Sequence, residues 1–301
     1  MPPRRIIDTH QHFWDLGHLY YPWLTDTINP DYLFGDYLGR DYFPEDYRRD
    51  TRNWNVEMTV HEEAECADGQ QLRETEWVSA MHARSGLANA IMGHAWLVRP
   101  DLEDELRRHM AYPLFRGVRS KPRVGRAPGE IADGPGTMSD PQWRSGLGVL
   151  QKLGLVYDFR VPYFALREGA DLPRLYPELQ FVVVHTGVPP RDRSEAGLAI
   201  WRDGMKGMAA APNVAVKISG LSIPGQPWSV AVQQRVVLDT IDFFGVDRCM
   251  FASNFPVDGA VTDFDTLMEN FDRIVSVLTE DERDRIYYRN ALKVYRPVVR
   301  A

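Results

Sequence analysis

The chain has 301 residues, 44% of them hydrophobic and 26% charged, so it can bury a core and does not read as disordered. A net charge of −7 without a basic stripe argues against a nucleic-acid partner. Two widely separated cysteines, Cys66 and Cys249, argue against a disulfide framework and fit a cytoplasmic protein. No apolar run approaches the ~18 residues of a membrane span, and the first strand follows Met1 too closely for a signal peptide.

Arg5 to His12 (RIIDTHQH) reads as a short buried strand. Alternate strand residues point the same way, so Asp8, His10 and His12 are expected on one face. The two imidazoles can then converge on a metal ion or a reacting water. The plainer alternative is one packed core histidine and one loop histidine. A long connection follows, rich in aromatic residues: Phe13, Trp14, Tyr20, Tyr21, Trp23, Tyr32, Phe34, Tyr37, Tyr42 and Phe43. A loop of this length in a compact domain reads as a lid or binding loop.

Pro44 to about Asn55 reads as a helix with proline at its start, and Val56 to Ala64 as a second strand with Thr59, His61 and Glu63 on one face. A helix from about Gln70 to Ser85 leads to a third strand, Asn89 to Leu97, and then to a helix from Asp101 to Met110. Leu114 to Arg119 is a fourth strand, followed by a Pro-, Gly- and Arg-rich loop over Lys121 to Met138. A helix from Pro141 to Leu153 precedes a fifth strand, Leu155 to Phe159, and a short helix from Leu166 to Tyr176 precedes a sixth, Leu179 to His185. That sixth run is almost wholly apolar, as in parallel strands buried on both faces. A helix from Ile200 to Ala210, a seventh strand from Val214 to Ser219, a helix from Val230 to Phe244 and an eighth strand from Cys249 to Ser253 complete the alternation. Phe264 to Leu278 and Asp281 to Leu292 are closing helices.

Eight strands alternating with helices predict a single-domain (β/α)8 TIM barrel over residues 1–301, with the long aromatic loop after strand 1. The site of such a barrel lies at the C-terminal ends of its strands. Those ends collect His10, His12, Glu63, Arg119, Asp158, His185, Lys217 and Asn254. His10, His12 and His185 are expected to face one cavity, whereas His61 and His94 read as structural. Glu63, Arg119 and Asp158 either bind substrate or form an ion-pair network that closes the barrel. Lys217, set among small and apolar neighbours, either faces a ligand or is buried against a partner.

The motifs resemble the amidohydrolase superfamily, and within it the amidohydrolase-2 branch that holds sugar lactonases and pyrone-dicarboxylate or muconolactone lactonases. The resemblance rests on Asp8-Thr9-His10-Gln11-His12-Phe13-Trp14, Phe115-Arg116-Gly117-Val118-Arg119, the segment Asn213 to Leu221, His185, Ser253-Asn254-Phe255-Pro256 and Asn290-Ala291. It spans nearly the whole chain and implies a (β/α)8 barrel that hydrolyses a cyclic ester, with decarboxylases among its relatives. It implies His10, His12, His185 and Asn254 as catalytic positions, with Trp14, Glu63, Arg119, Asp158, Lys217 and Asp258 around the substrate. One departure stands out: relatives usually place an aspartate where this chain has Asn254, and a neutral amide is a poor base and a weak metal ligand. A two-metal centre is not expected, because Arg119 stands where such relatives carry a lysine on strand four.

Two mechanisms follow. In one, His10, His12 and His185 bind a single Zn²⁺ whose water ionises near neutrality. In the other there is no metal; Arg119, Lys217 and the histidines bind the substrate carboxylate, and Asp258 or a histidine activates water. The expected substrate is a small cyclic anion, with no nucleic acid and no membrane as partner, and homo-oligomerisation stays open. A decarboxylase and a catalytically impaired ligand-binding barrel are the alternatives.

Overall fold

The computed structural model describes residues 4–26 and 37–299. Eight parallel strands run in sequence order: β1 (Arg5–Gln11), β2 (Asn55–Glu62), β3 (Ala90–Gly93), β4 (Phe115–Arg119), β5 (Val156–Phe159), β6 (Gln180–Val183), β7 (Val214–Ile218) and β8 (Cys249–Phe251). The Gln11–Phe255 bridge, the Thr9 hydroxyl on the Phe251 carbonyl at 2.6 Å and the Asn254 N–H on the His10 carbonyl at 2.7 Å bring the last strand back to the first. The molecule is the expected single-domain (β/α)8 barrel.

Sequence chemistry accounts for the helix ends. Asp140 caps the helix Pro141–Lys152 by accepting from the Gln142 N–H at 2.9 Å, and Ser194 caps Glu195–Ala209 from the Gly197 N–H. The Ser194 cap explains why that helix starts well before Ile200. The first helix after the lid ends at Asp50 rather than near Asn55, because β2 begins there. The expected helix over 166–176 is two short pieces, Tyr163–Gly169 and Leu172–Leu175, with Pro173 opening the second. The closing helix after Thr279 runs without a break from Glu280 to Tyr295, with a π-helical turn at Arg285–Arg289 inside it.

Two apolar layers hold the barrel. Ile7, Val60, Met92, Val156, Val182 and Met250 fill its interior, and a larger cluster packs the helices against its outside. Gly117 permits the pairing of β4 with β5, because a Cβ there would sit 1.9 Å from the Val156 carbonyl oxygen. Asn290, part of the family resemblance, is structural: its amide donates to the carbonyls of Val246 and Cys249 and ties the C-terminal segment to the start of β8.

Strand β1 does not keep the expected alternation from Asp8 to His12. Between the pairs Asp8–Thr59 and Gln11–His61, β1 spends three residues where β2 spends two. This bulge reverses the alternation. Asp8 turns outward to Tyr47 and Ser253, whereas His10 and His12 turn to the cavity side, so the three do not share a face.

The lid is described on both arms, and Tyr32 and Phe34 lie outside the described residues. Trp14 and Tyr42 exchange backbone hydrogen bonds across the arms, and the Trp14 indole donates to the Arg40 carbonyl at 2.6 Å. Among the described residues, no helix is long and apolar enough to cross a membrane.

Candidate active site

A cavity of about 140 Å³ opens at the C-terminal end of the barrel. His12, Arg119, His185, Asn254 and Asp258 line it, together with Trp23, Glu65, Arg160, Arg191, Arg193 and Ser222.

The three histidines gather, but only His12 and His185 line the cavity. The Nε2 atoms of His10 and His12 lie 3.2 Å apart, and the rings of His10 and His185 are centred 4.4 Å apart. His10 stands behind the other two and is fully buried. Burial, followed by the nearby Arg119, holds His12 at about 4, so its ring is neutral at pH 7. His10 and His185 are also held well below the ordinary histidine value, first by burial and then by neighbouring positive groups. His12 Nδ1 meets the Glu62 carbonyl at 2.9 Å. A carbonyl can only accept, so the His12 proton sits on Nδ1 and Nε2 offers a lone pair.

Two such nitrogens could serve as two ligands of a zinc ion. His185 turns Nδ1 toward the Ser219 hydroxyl at 3.0 Å, which fixes its ring and leaves Nε2 uncommitted. Asn254 commits its amide N–H to Asp258 at 2.8 Å. Among the described residues, no three His, Cys, Asp or Glu side chains form a group able to hold a metal. The expected zinc centre on His10, His12 and His185 is therefore not preformed.

The strand ends below carry a buried charge network. Lys217 is 0% exposed and donates to Glu62 at 2.6 Å and Asp158 at 2.5 Å, and Tyr295 donates to Asp158 at 2.9 Å. Lys217 and Asp158 therefore pair with each other inside the barrel and do not reach the cavity. Burial and the adjacent Asp158 raise the Glu62 carboxyl above its usual range. Arg119 donates to the Glu63 carboxylate and carbonyl, each at 2.6 Å. Glu63 thus acts as the partner of Arg119, while Arg119 itself still lines the cavity. Trp14 is fully buried within the lid, and Trp23 is the lid tryptophan that reaches the cavity.

Asp258 is 3% exposed, and burial pushes its carboxyl up to about 7. Around it the backbone is held in uncommon conformations: Asn254 at φ 60°, and His185, Thr186 and Val188 at φ 54°, 55° and 46°. Thr186 is held there by its hydroxyl, which donates to the Ser219 carbonyl at 3.1 Å. Such strain is concentrated where a fold must aim side chains.

Gly220 at φ 61° lies against His185, and an added Cβ would come within 2.5 Å of its ring. Gly220→Ala should therefore displace His185 and lower kcat by about 100-fold, the usual scale for an ångström of misplacement at a site. Steady-state kinetics beside a thermal melt check this, because the fold should survive.

Glu62, Trp23, Arg160, Arg191 and Arg193 escape the sequence reading. The β1 bulge and the parity of β2 hide Glu62. Nothing local separates Trp23 from Trp14. The Arg191-Asp192-Arg193 run in the loop after β6 was the available signal, because charged loop residues at that end of a barrel face the mouth.

The amidohydrolase family profile matches residues 7–296. The chain belongs to the amidohydrolase family. This amidohydrolase is 36% identical over 294 residues to the uncharacterised protein y4mH of Sinorhizobium fredii, covering 97% of this chain and 98% of that one. It is 26% identical over 297 residues to an L-fucono-1,5-lactonase of Burkholderia ambifaria, covering 96% and 95%. In structure it resembles an amidohydrolase of Burkholderia multivorans with bound zinc, at TM-score 0.80 and 23% identity, covering 97% and 99%. That likeness shows the (β/α)8 barrel fold.

Proposed function

We propose that the protein hydrolyses a small anionic lactone, with Asp258 as the general base. The observation that carries this reading is Asp258 itself: a buried carboxyl poised at about 7 on the wall of a cavity also lined by Arg119, Arg160, Arg191 and Arg193. A base with a pKa near the working pH is best matched to activating water. The similarity to L-fucono-1,5-lactonases supports a cyclic ester as substrate.

In this scheme Asp258 takes a proton from a water as its oxygen adds to the lactone carbonyl. The developing oxyanion lies near the Arg119 guanidinium and the His185 edge, where a fixed charge and a donor stabilise it. The ring C–O bond then breaks, and the leaving alkoxide recovers the proton held by Asp258, which gives a hydroxy acid. Neutral His12 and buried His10 pack the cavity floor and keep bulk water from the reacting carbonyl. The anion-binding role expected of Lys217 passes to the arginines at the mouth.

Arg191 carries much of that role, because it has no hydrogen bond or ion pair among the described residues and lies on the cavity wall. Arg191→Gln should raise KM for a carboxylated lactone by about tenfold, the value of one charge-assisted hydrogen bond, and leave a neutral lactone nearly unchanged. Equal effects on both substrates would remove Arg191 from recognition.

The reading is tested with a panel of sugar lactones and carboxylated lactones, followed by indicator-detected acid release and by CO₂ detection. Saturable acid release without gas is expected. Gas release would mark a decarboxylase, and ligand-induced thermal shifts without turnover would mark a binding protein; either result overturns the proposal.

A further inference from the structure

Asp8 is a fully buried acid that takes no part in the proposed hydrolysis. The β1 bulge turns it away from the histidines. Four donors converge on it. Its Oδ1 accepts from the Ser253 N–H at 2.8 Å and the His10 N–H at 3.2 Å, and its Oδ2 accepts from the Tyr47 hydroxyl at 2.7 Å and from the Ser253 hydroxyl. Every partner is a donor, which suits an acceptor-only carboxylate and no neutral side chain of the same size.

Ser253 passes this anchorage on. Its hydroxyl accepts from the Phe255 N–H at 3.0 Å, so the residues on both sides of Asn254 are tied to one carboxylate. Asn254 sits between them at φ 60°, donates its own N–H to the His10 carbonyl, and through its side-chain amide holds Asp258. The Asp258 N–H returns to the Asn254 carbonyl at 3.0 Å. A left-handed asparagine persists only where its surroundings enforce it.

We propose that Asp8 is a positioning residue for Asp258, acting through the Ser253-Asn254 turn, and that Tyr47 pins the helix Pro44–Asp50 behind the lid to the same carboxylate. The inference rests on the reading of Asp258 as the base. Asp8→Asn keeps the size but turns an NH₂ group toward the converging donors. The turn should loosen while the barrel stays intact.

The test measures amide hydrogen exchange and kinetics together. In Asp8→Asn, exchange at Asn254, Phe255 and Asp258 should quicken by at least about tenfold, while β4 to β6 stay protected. Against the best lactone, kcat should fall by about 100-fold, with KM within about threefold of wild type. Tyr47→Phe leaves the Ser253 clamp in place and should keep kcat within about fivefold. If Asp8→Asn does not fold, Ser253→Ala carries the same two measurements. Unchanged exchange over residues 254–258, or a loss of activity that only follows the unfolded fraction, overturns the proposal. The exchange arm needs no turnover, so it separates failure of the clamp from failure of the lactonase reading.

Discussion

Asp258→Asn should lower kcat on a lactone substrate by about a thousandfold, in the middle of the range for a lost general base. The asparagine has nearly the same shape and can still accept from the Asn254 amide through its oxygen, so the cavity wall is preserved. The ability to take a proton disappears, and one of the two acceptor oxygens shared between Asn254 and Ser222 becomes an NH₂ group. The loss should therefore fall on kcat, with KM little changed. Stability supplies a control with a definite sign. Burial raises the Asp258 pKa on folding, so the native state holds a proton that the unfolded chain releases at lower pH. The group therefore weakens the fold as pH rises from the ordinary carboxylate range through about 7. The variant should melt no lower than wild type, and higher in mild alkali. A thousandfold loss with an unchanged or raised melting temperature assigns Asp258 to the chemistry. Activity within a few-fold of wild type removes it.

Lys217→Met should destabilise the protein by about 3–5 kcal/mol, the scale for removing one partner of a buried ion pair. The methionine fills most of the same space, so the effect is electrostatic. Glu62 and Asp158 are both 0% exposed; Asp158 would lose the ammonium it pairs with, and Glu62 would keep only Arg119, at 3.6 Å. Tyr295 can serve only Asp158. Such a loss is a large part of the stability of an ordinary domain, and denaturant titration should show an earlier midpoint. Pairing the change with Glu62→Gln should restore part of the loss, because one of the two stranded charges is then gone. A Lys217→Met protein as stable as wild type but with raised KM would return Lys217 to the substrate.

The barrel is legible in the sequence because its strands are short apolar runs at regular spacing. LQFVVVH and NVAVKIS can hardly be anything but strands buried on both faces. The three histidines are legible for the same reason, as polar residues at the ends of such runs. The direction of each side chain is harder to read. One extra residue in β1 sends Asp8 outward and His10 inward, and no local pattern announces it. Lys217 illustrates a second difficulty. A lysine in a buried strand needs a carboxylate, but the sequence does not say whether the protein or a ligand supplies it. Here Glu62 and Asp158 do, from strands remote in sequence. Asp258 is the reverse case: the sequence offers it only as a carboxylate near the site, and its raised pKa comes from the turn after β8, which buries it beside Asn254.

The central claim is that this chain activates water with Asp258 rather than with a metal on its histidines. The most direct measurement is the pH dependence of kcat/KM on a carboxylated lactone, with protein dialysed against a strong chelator. The rate should survive dialysis and rise with pH to a plateau, with its midpoint near the Asp258 value of about 7, because only the ionised carboxylate can take the proton. A rate abolished by dialysis and restored by zinc, or a profile flat across neutrality, would contradict it.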